Sequence, residues 1–334
     1  MHSTGFIITM AYPETIVLVA DEWYSPLLRW IGIGKKNYLR AGHAALVLID
    51  KKTGILEYHD FGRYITNAPN GRVRGAKYDA ELNFPIKATI SNGEIKNLDE
   101  ILHFLSSVPH LTHGDGKLVA SVCSAIHYEK AKKHIQKMQR KGPIRYAAFL
   151  KEATNCARFV TDTLIVATTH KATKKALRKS AWFTPSTVGN VVLAASDKKV
   201  FEVTPDGVKE FTSTSGSETR RCFLDSLPNH TPNLIGTLEA KNVEGLHKNA
   251  QWLSGIAAGA WYEITQPDGL VSNEFRFRRI SPKGNIDIDA VFVNHDGFTL
   301  SKPFETIHNS NCLFCTVKQN DTIKVLNYRH LYTP

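Results

Sequence analysis

Cysteine is scarce, with five in 334 residues. The number is odd and the spacings are mostly unpaired, which argues against a disulfide framework and suits a reducing compartment. The expected location is cytoplasmic. Long apolar runs are missing too. No stretch approaches the roughly 18 apolar residues that span a bilayer, so no transmembrane segment is expected. The opening residues, "MHSTGFIITMAYPETIVLVADEWY", lack a basic region followed by a continuous apolar core. Pro13 and Glu14 interrupt them, and a signal peptide is not expected. Acidic residues are in deficit: 31 Asp and Glu face 42 Lys and Arg, a formal net charge of +11. That balance favours negatively charged partners. Zinc-finger spacing, an aromatic ribonucleoprotein motif and a DNA-reading helix are absent, so nucleic acid is not an expected partner. Internal repeats are absent as well.

Hydrophobic residues make up 42% of the chain, enough for a sizeable core. "FIITMAY", "TIVLVADEW", "AALVLID" and "GILEYHDFG" read as strands, the last two joined as a hairpin through "KKTG". "NFPIKATI" reads as a further strand. "NLDEILHFLSSV" reads as a helix with Asn97 as its cap and acids in its first turn. "SAIHYEKAKKHIQKMQRKG" reads as a long amphipathic helix ended by Gly142 and Pro143. The basic excess is local, in that helix and in "HKATKKALRKS", which reads as a short helix around residues 171–178. Both read first as solvated faces, with an anionic partner as the alternative. After "FTPSTVGN" the texture turns to strands, beginning with a hairpin pattern in "VVLAASDKKVFEVTPDGVKEF". "TSTSGSETRR" reads as an exposed linker. The expected architecture is α+β over residues 1–188, followed by a mostly β region over 189–334.

The stretch "KEATNCARFVTDTLIVATTH" carries the chemistry. Asn155 reads as an N-cap, and Phe159, Val160, Thr163, Leu164 and Ala167 form one buried stripe. Cys156 then stands at the mouth of the helix. Unpaired N–H groups and the positive end of the dipole favour the thiolate there, and the thiolate is the nucleophile. Such a thiolate needs a base, usually histidine, and a third group to orient that base. His43 begins the strand "HAALVLID" and is the candidate base. His59, near the end of the next strand, returns beside it if the two strands pair. Alternation sends Asp60 to the opposite face, so His59 is the expected orienting group.

A strand-start histidine, a second histidine late in the next strand, and a later "NCARFV" helix resemble the circularly permuted papain-like enzymes. These are relatives of the NlpC-type cell-wall peptidases and of lecithin:retinol acyltransferase. The likeness covers roughly residues 5–170. It implies a permuted papain-like domain, an antiparallel sheet packed on a cysteine-bearing helix. Its roles carry over as nucleophile onto Cys156, base onto His43 and orienting polar group onto His59. The insert between His59 and Cys156, with two helices and a basic run, departs from the pattern and leaves the substrate class open. The whole chain also resembles a bacterial family whose domain has no assigned function.

The expectation is a thiol-dependent hydrolase, amidase- or peptidase-like, acting on an amide or ester through an acyl-thioester, with no metal or organic cofactor. An acyltransferase on lipid or amine substrates, or a non-catalytic binding protein on the same scaffold, are the alternatives. Smaller signals remain. "IHNSNCLFC" groups His308, Cys312 and Cys315, for which ordinary strand residues outrank zinc or a redox pair, since a fourth ligand is lacking unless His295 or His330 folds back. Cys123 sits in an apolar run and His103 on the buried-looking side of its helix; both read as structural. "WYSPLLRWIGIG", with Trp23, Tyr24, Leu27, Leu28 and Trp30, reads as packing first, and as a flap or a membrane contact second.

Overall fold

The computed structural model describes residues 3–19, 22, 24–35, 38–64, 66, 69–230, 239–255, 258–308 and 310–333. Two compact units emerge: Met1–Gly62, Gly71–Ala76 and Glu81–Pro232 form one, and Arg63–Asn70, Lys77–Ala80 and Asn233–Pro334 the other. The fold is mixed α and β, with a mostly β C-terminal unit.

The first unit opens with β1 (Gly5–Tyr12), β2 (Ile16–Leu18), α1 (Ser25–Trp30) and β3 (Tyr38–Arg40). Then come β4 (His43–Asp50), β5 (Leu56–Gly62) and β6 (Asn70–Arg74), and two short strands, β7 (Ile90–Ser91) and β8 (Glu94–Ile95). Helices α2 (Leu98–Ser107) and α3 (Pro109–Thr112) lead to β9 (Leu118–Ile126), α4 (Tyr128–Lys141) and β10 (Ile144–Arg145). The cysteine-bearing helix is α5 (Cys156–Ala167), followed by α6 (Lys171–Ala181) and α7 (Thr187–Ala194). A hairpin of β11 (Phe201–Thr204) and β12 (Gly207–Glu210), then α8 (Ser215–Phe223), complete the unit.

Its main sheet has the order β10-β6-β5-β4-β1-β9-β11-β12. Strand β1 is central, antiparallel to both β4 and β9. Every residue of β1 is buried because helices cover both faces of the sheet. On one face Ile7, Leu46, Leu48 and Phe61 pack with Phe159, Val160 and Leu164 of α5 and with Ala131 and Ile135 of α4. On the other, Ile8, Met10, Val47 and Tyr58 pack with Ile101, Leu102 and Leu105 of α2. A strand covered on both sides gains from apolar residues at every position, hence the apolar runs in β1, interrupted by Thr9, and in β4.

Several elements differ from expectation. The first unit extends past residue 188, because β11 pairs with β9 and so joins the same sheet. Residues 187–194 form α7 rather than a strand; the buried Thr187, Val188, Asn190, Val191 and Ala194 fall at helical spacing, not in alternation. "TSTSGSETRR" is no linker. Thr214 caps α8, accepting the Ser217 N–H, and Glu218 and Cys222 of that helix are buried. "NFPIKATI" contributes only an isolated bridge from Lys87 to Ile55 and the start of β7. His103 is exposed.

The second unit continues with β13 (Gln251–Gly255), β14 (Ala258–Thr265), β15 (Glu274–Ile280), β16 (Ile286–Asn294), β17 (Glu305–Thr306), β18 (Phe314–Gln319) and β19 (Thr322–Leu331). They form a sheet of order β13-β14-β15-β16-β19-β18-β17. Its core holds Tyr262, Phe275, Phe277, Phe292 and Phe298. Among the described residues no helix is long and apolar enough to cross a membrane.

Candidate active site

Asn155 determines where α5 begins. Its backbone is extended, with φ −143° and ψ 178°, and its Oδ1 accepts the Arg158 N–H at 2.9 Å. Its amide donates to the Ala147 carbonyl at 3.2 Å, which fixes the cap against the preceding loop. Cys156 is therefore the first helical residue. The helix is pinned from behind by Asn190 of α7, which donates to the Ala157 carbonyl at 2.7 Å and lies 2.7 Å from the Thr161 hydroxyl.

His43 is the first residue of β4 and is buried. Gly42 precedes it at φ +76°, where a side chain would be strained and would press on Pro13 and the Tyr12 carbonyl. The His43 Nε2 lies 3.0 Å from Asp60 Oδ2, and the Cys156 thiol hydrogen-bonds the same ring. With Nε2 on the carboxylate, Nδ1 is the ring nitrogen left for sulfur. His113, at the end of α3, meets the His43 ring edge to face at 5.5 Å.

Asp60 is held on all sides. Arg74 of β6 donates Nε to Oδ1 at 2.9 Å and Nη2 to Oδ2 at 2.6 Å. The Tyr58 hydroxyl lies 3.0 Å from Oδ2. Asp60 and Arg74 are both fully buried, so each charge relies on the other. Burial works to raise the Asp60 pKa, but Arg74 and His43 hold the carboxyl well below the usual carboxylate range.

These contacts set the proton balance. Burial works against a charged His43, yet its bond to Asp60 and its contact with Cys156 raise its pKa to about 9. Burial likewise opposes the Cys156 thiolate, but the His43 bond and charge, with the backbone N–H groups of Ala44 and Ala157, lower its pKa. Both shifts act toward a thiolate beside an imidazolium. The thiols of Cys123, Cys222 and Cys315 are raised instead, all mainly by burial.

Two of the three residues expected from sequence, Cys156 and His43, meet. His59 does not join them. Its Nδ1 bonds the Arg74 carbonyl at 3.1 Å, and burial lowers its pKa. The β4–β5 register explains the correction: Ala45 faces Asp60 and Leu46 faces His59. Residues 43, 45 and 60 therefore share a sheet face, and His59 points to the other. Tyr58 and Arg74 were not foreseen. The alternating pair Tyr58 and Asp60 was visible in "EYHDFG", whereas Arg74 has no local signal.

A cavity of about 590 Å³ opens on Cys156. Val17, Leu18, Tyr24, Leu39, Phe149 and Phe183 are among its walls. Buried Glu22 accepts the N–H groups of Ala148 at 2.7 Å and Phe149 at 3.0 Å, fixing one side of its rim. Arg158 ties that side to the next by donating to the carbonyls of Ala148, Leu150 and Phe183. Of the aromatic stretch expected mainly to pack, Leu28 is buried and Tyr24 lines the cavity, but Leu27 and Trp30 are exposed. Trp23 lies outside the described residues.

In the second unit His308 Nε2 lies 2.7 Å from the Ser254 carbonyl, and Cys312 and Cys315 are buried. Among the described residues no group of three or more His, Cys, Asp or Glu side chains is placed to hold a metal ion.

Comparison with known proteins gives two family matches. The model described as "Type VI secretion system effector TseH-like" matches residues 7–173, half of the chain. The model described as "DUF6695 C-terminal domain" matches residues 250–329. No curated protein matches. The crystal structure of the type VI secretion system effector TseH is similar at a TM-score of 0.42 and 19% identity, over 63% of this chain and 99% of that one.

Proposed function

We propose that this chain, which belongs to the TseH-like family of type VI secretion system effectors, is a cysteine hydrolase of permuted papain-like design. The observation that carries the reading is the Cys156–His43–Asp60 relay at a helix mouth that opens on a cavity. Cys156 attacks the carbonyl carbon of an ester or amide. The N–H groups of Cys156 and Ala157, at the positive end of α5, stabilise the oxyanion. His43 protonates the leaving group as the carbonyl re-forms on sulfur, leaving an acyl-thioester. It then takes a proton from water, which cleaves the thioester and frees the thiolate. Asp60 keeps His43 oriented and its charge compensated, while Arg74 and Tyr58 keep Asp60 in place.

The test is the pH dependence of alkylation. Iodoacetamide should label Cys156 at a nearly constant rate from about pH 6 to 8, whereas an unperturbed thiol speeds up about tenfold per unit. His43→Ala should restore the steep profile, and Cys156→Ser should abolish hydrolysis with the fold intact. Steep labelling in the wild type, indifferent to His43, would leave the scaffold without an activated nucleophile and end this reading.

A further inference from the structure

The walls of the cavity and the surface around its mouth say more about the substrate than the relay does. A site for a polar peptide needs polar groups converging on the reacting carbon. Here most wall side chains beyond Cys156 are aliphatic or aromatic. The volume, about 590 Å³, falls within the roughly 300–1,000 Å³ of small-molecule sites. Phe149 and Phe183 approach at 4.9 Å between ring centres, and Tyr24 meets Phe149 edge-on at 5.1 Å. Both phenylalanines are nevertheless exposed, at 37% and 72%. They form the rim, and the Arg158 and Glu22 bonds to the backbone hold that rim open to solvent.

The rim continues outward with Trp182, which is 93% exposed. Trp182 closes α6, and α6 carries Lys171, Lys174, Lys175, Arg178 and Lys179 with no acid. Leu177 is the buried residue of that helix; Lys171, Lys175, Arg178 and Lys179 are exposed on its outward side, and Lys174 is half-buried. An exposed tryptophan and phenylalanine beside a purely cationic helix combine the two features that favour an anionic bilayer surface: aromatic side chains that insert at the headgroup level, and charges that meet the lipid phosphates.

Resting on the hydrolase reading above, we propose that the substrate is a long-chain acyl ester lipid taken from an anionic membrane surface. The acyl chain lies in the cavity, Trp182 and Phe183 seat in the headgroup layer, and the α6 cations face the lipid phosphates. The Cys156 sulfur forms a bond to the ester carbonyl carbon while the carbon–oxygen bond to the alcohol breaks. The alcohol leaves with the proton from His43. Water then supplies hydroxide to the acyl carbon and its proton to His43. The carbon–sulfur bond breaks, releasing a free fatty acid.

The experiment uses the full chain with p-nitrophenyl esters from acetate to octanoate, and with vesicles of phosphatidylcholine alone or mixed with phosphatidylglycerol. Iodoacetamide labelling of Cys156 in buffer monitors the folded site in every variant. The expected kcat/KM rises about fourfold per added methylene until the cavity is filled. Fatty acid release and sedimentation should favour the phosphatidylglycerol vesicles. Trp182→Ser with Phe183→Ser, or Lys175→Glu with Lys179→Glu, should each weaken binding to those vesicles by more than about tenfold. A reactive thiol with flat chain-length dependence, or faster turnover of an apolar peptide amide than of the octanoyl ester, overturns the lipid assignment and leaves the hydrolase reading standing. Equal binding to both vesicle types, unmoved by the charge reversals, also overturns it. An inert thiol overturns both.

Discussion

His59 and Asp60 are chain neighbours, and their places in the register decide which of them serves the imidazole. In a pleated strand a shift of one residue turns every side chain to the other face. Cys156 and His43 are legible in the sequence because each depends on local context: a cap before a helix, and a polar residue opening an apolar strand. The third member is not legible, because it depends on how β4 and β5 align across their turn. It depends equally on Arg74, which makes a buried Asp60 affordable and comes from a third strand. His59→Ala should therefore leave kcat within about threefold of wild type, since its ring faces away from the imidazole and meets the Arg74 backbone carbonyl and Glu57 instead. Tyr58→Phe should cost about 1 kcal/mol in stability by removing the buried hydroxyl that donates to Asp60 and the Thr112 carbonyl, and should lower kcat several-fold. Urea midpoints and steady-state rates measured together separate the two effects. A larger rate loss in His59→Ala than in Tyr58→Phe would return the orienting role to His59.

Helix α5 shows how an element was read correctly from its first residue. Phe159, Val160, Thr163, Leu164 and Ala167 are all buried, as their spacing requires. Asn155→Ala should lower stability by about 1 kcal/mol, within the usual range for a lost cap. Its effect on kcat should be larger than its effect on stability, because the cap also fixes where the sulfur stands. Equal losses in both would reduce Asn155 to a plain cap. Helix α8 is hidden in the sequence for the opposite reason. Its serines, threonines and glycine suggest a loop, yet Thr214 with Glu218 in the following turn is also a helix start. Tertiary contact decided the matter: Glu218 lies near Lys117, at 3.4 Å, and Cys222 is buried. Limited trypsin digestion should accordingly spare Arg220 and Arg221 in the native protein. Early cleavage there, followed by mass spectrometry of the fragments, would restore the linker.

The buried charges of the first unit give the molecule a pH signature. The folded pKa of His43, about 9, stands above its ordinary value of 6.5. Its stabilising contribution is therefore complete below pH 6.5 and is lost as pH rises through about 9. Asp60 is depressed, so its contribution is present above the ordinary carboxylate range and is lost as pH falls below it. Cys156, whose pKa is lowered by His43, gains stability with rising pH over the same range and masks the loss, so thermal melts should show stability falling between about pH 6.5 and 9 in Cys156→Ser and no such fall in His43→Ala. The sequence could not show this, because each group acquires its unusual affinity only from partners on other strands.

The same dependence on distant strands makes the thiol latent. In an extended chain Cys156 is an ordinary cysteine, its sulfur mostly protonated at neutral pH. Its helix end, its imidazolium and its buried carboxylate come together only when β4, β5 and α5 close around β1. Any state of the protein that has not completed that closure, whether newly made or held unfolded, carries only an ordinary thiol. On the proposed reading the activated thiol exists only with the sheet closed, and melting the sheet removes it.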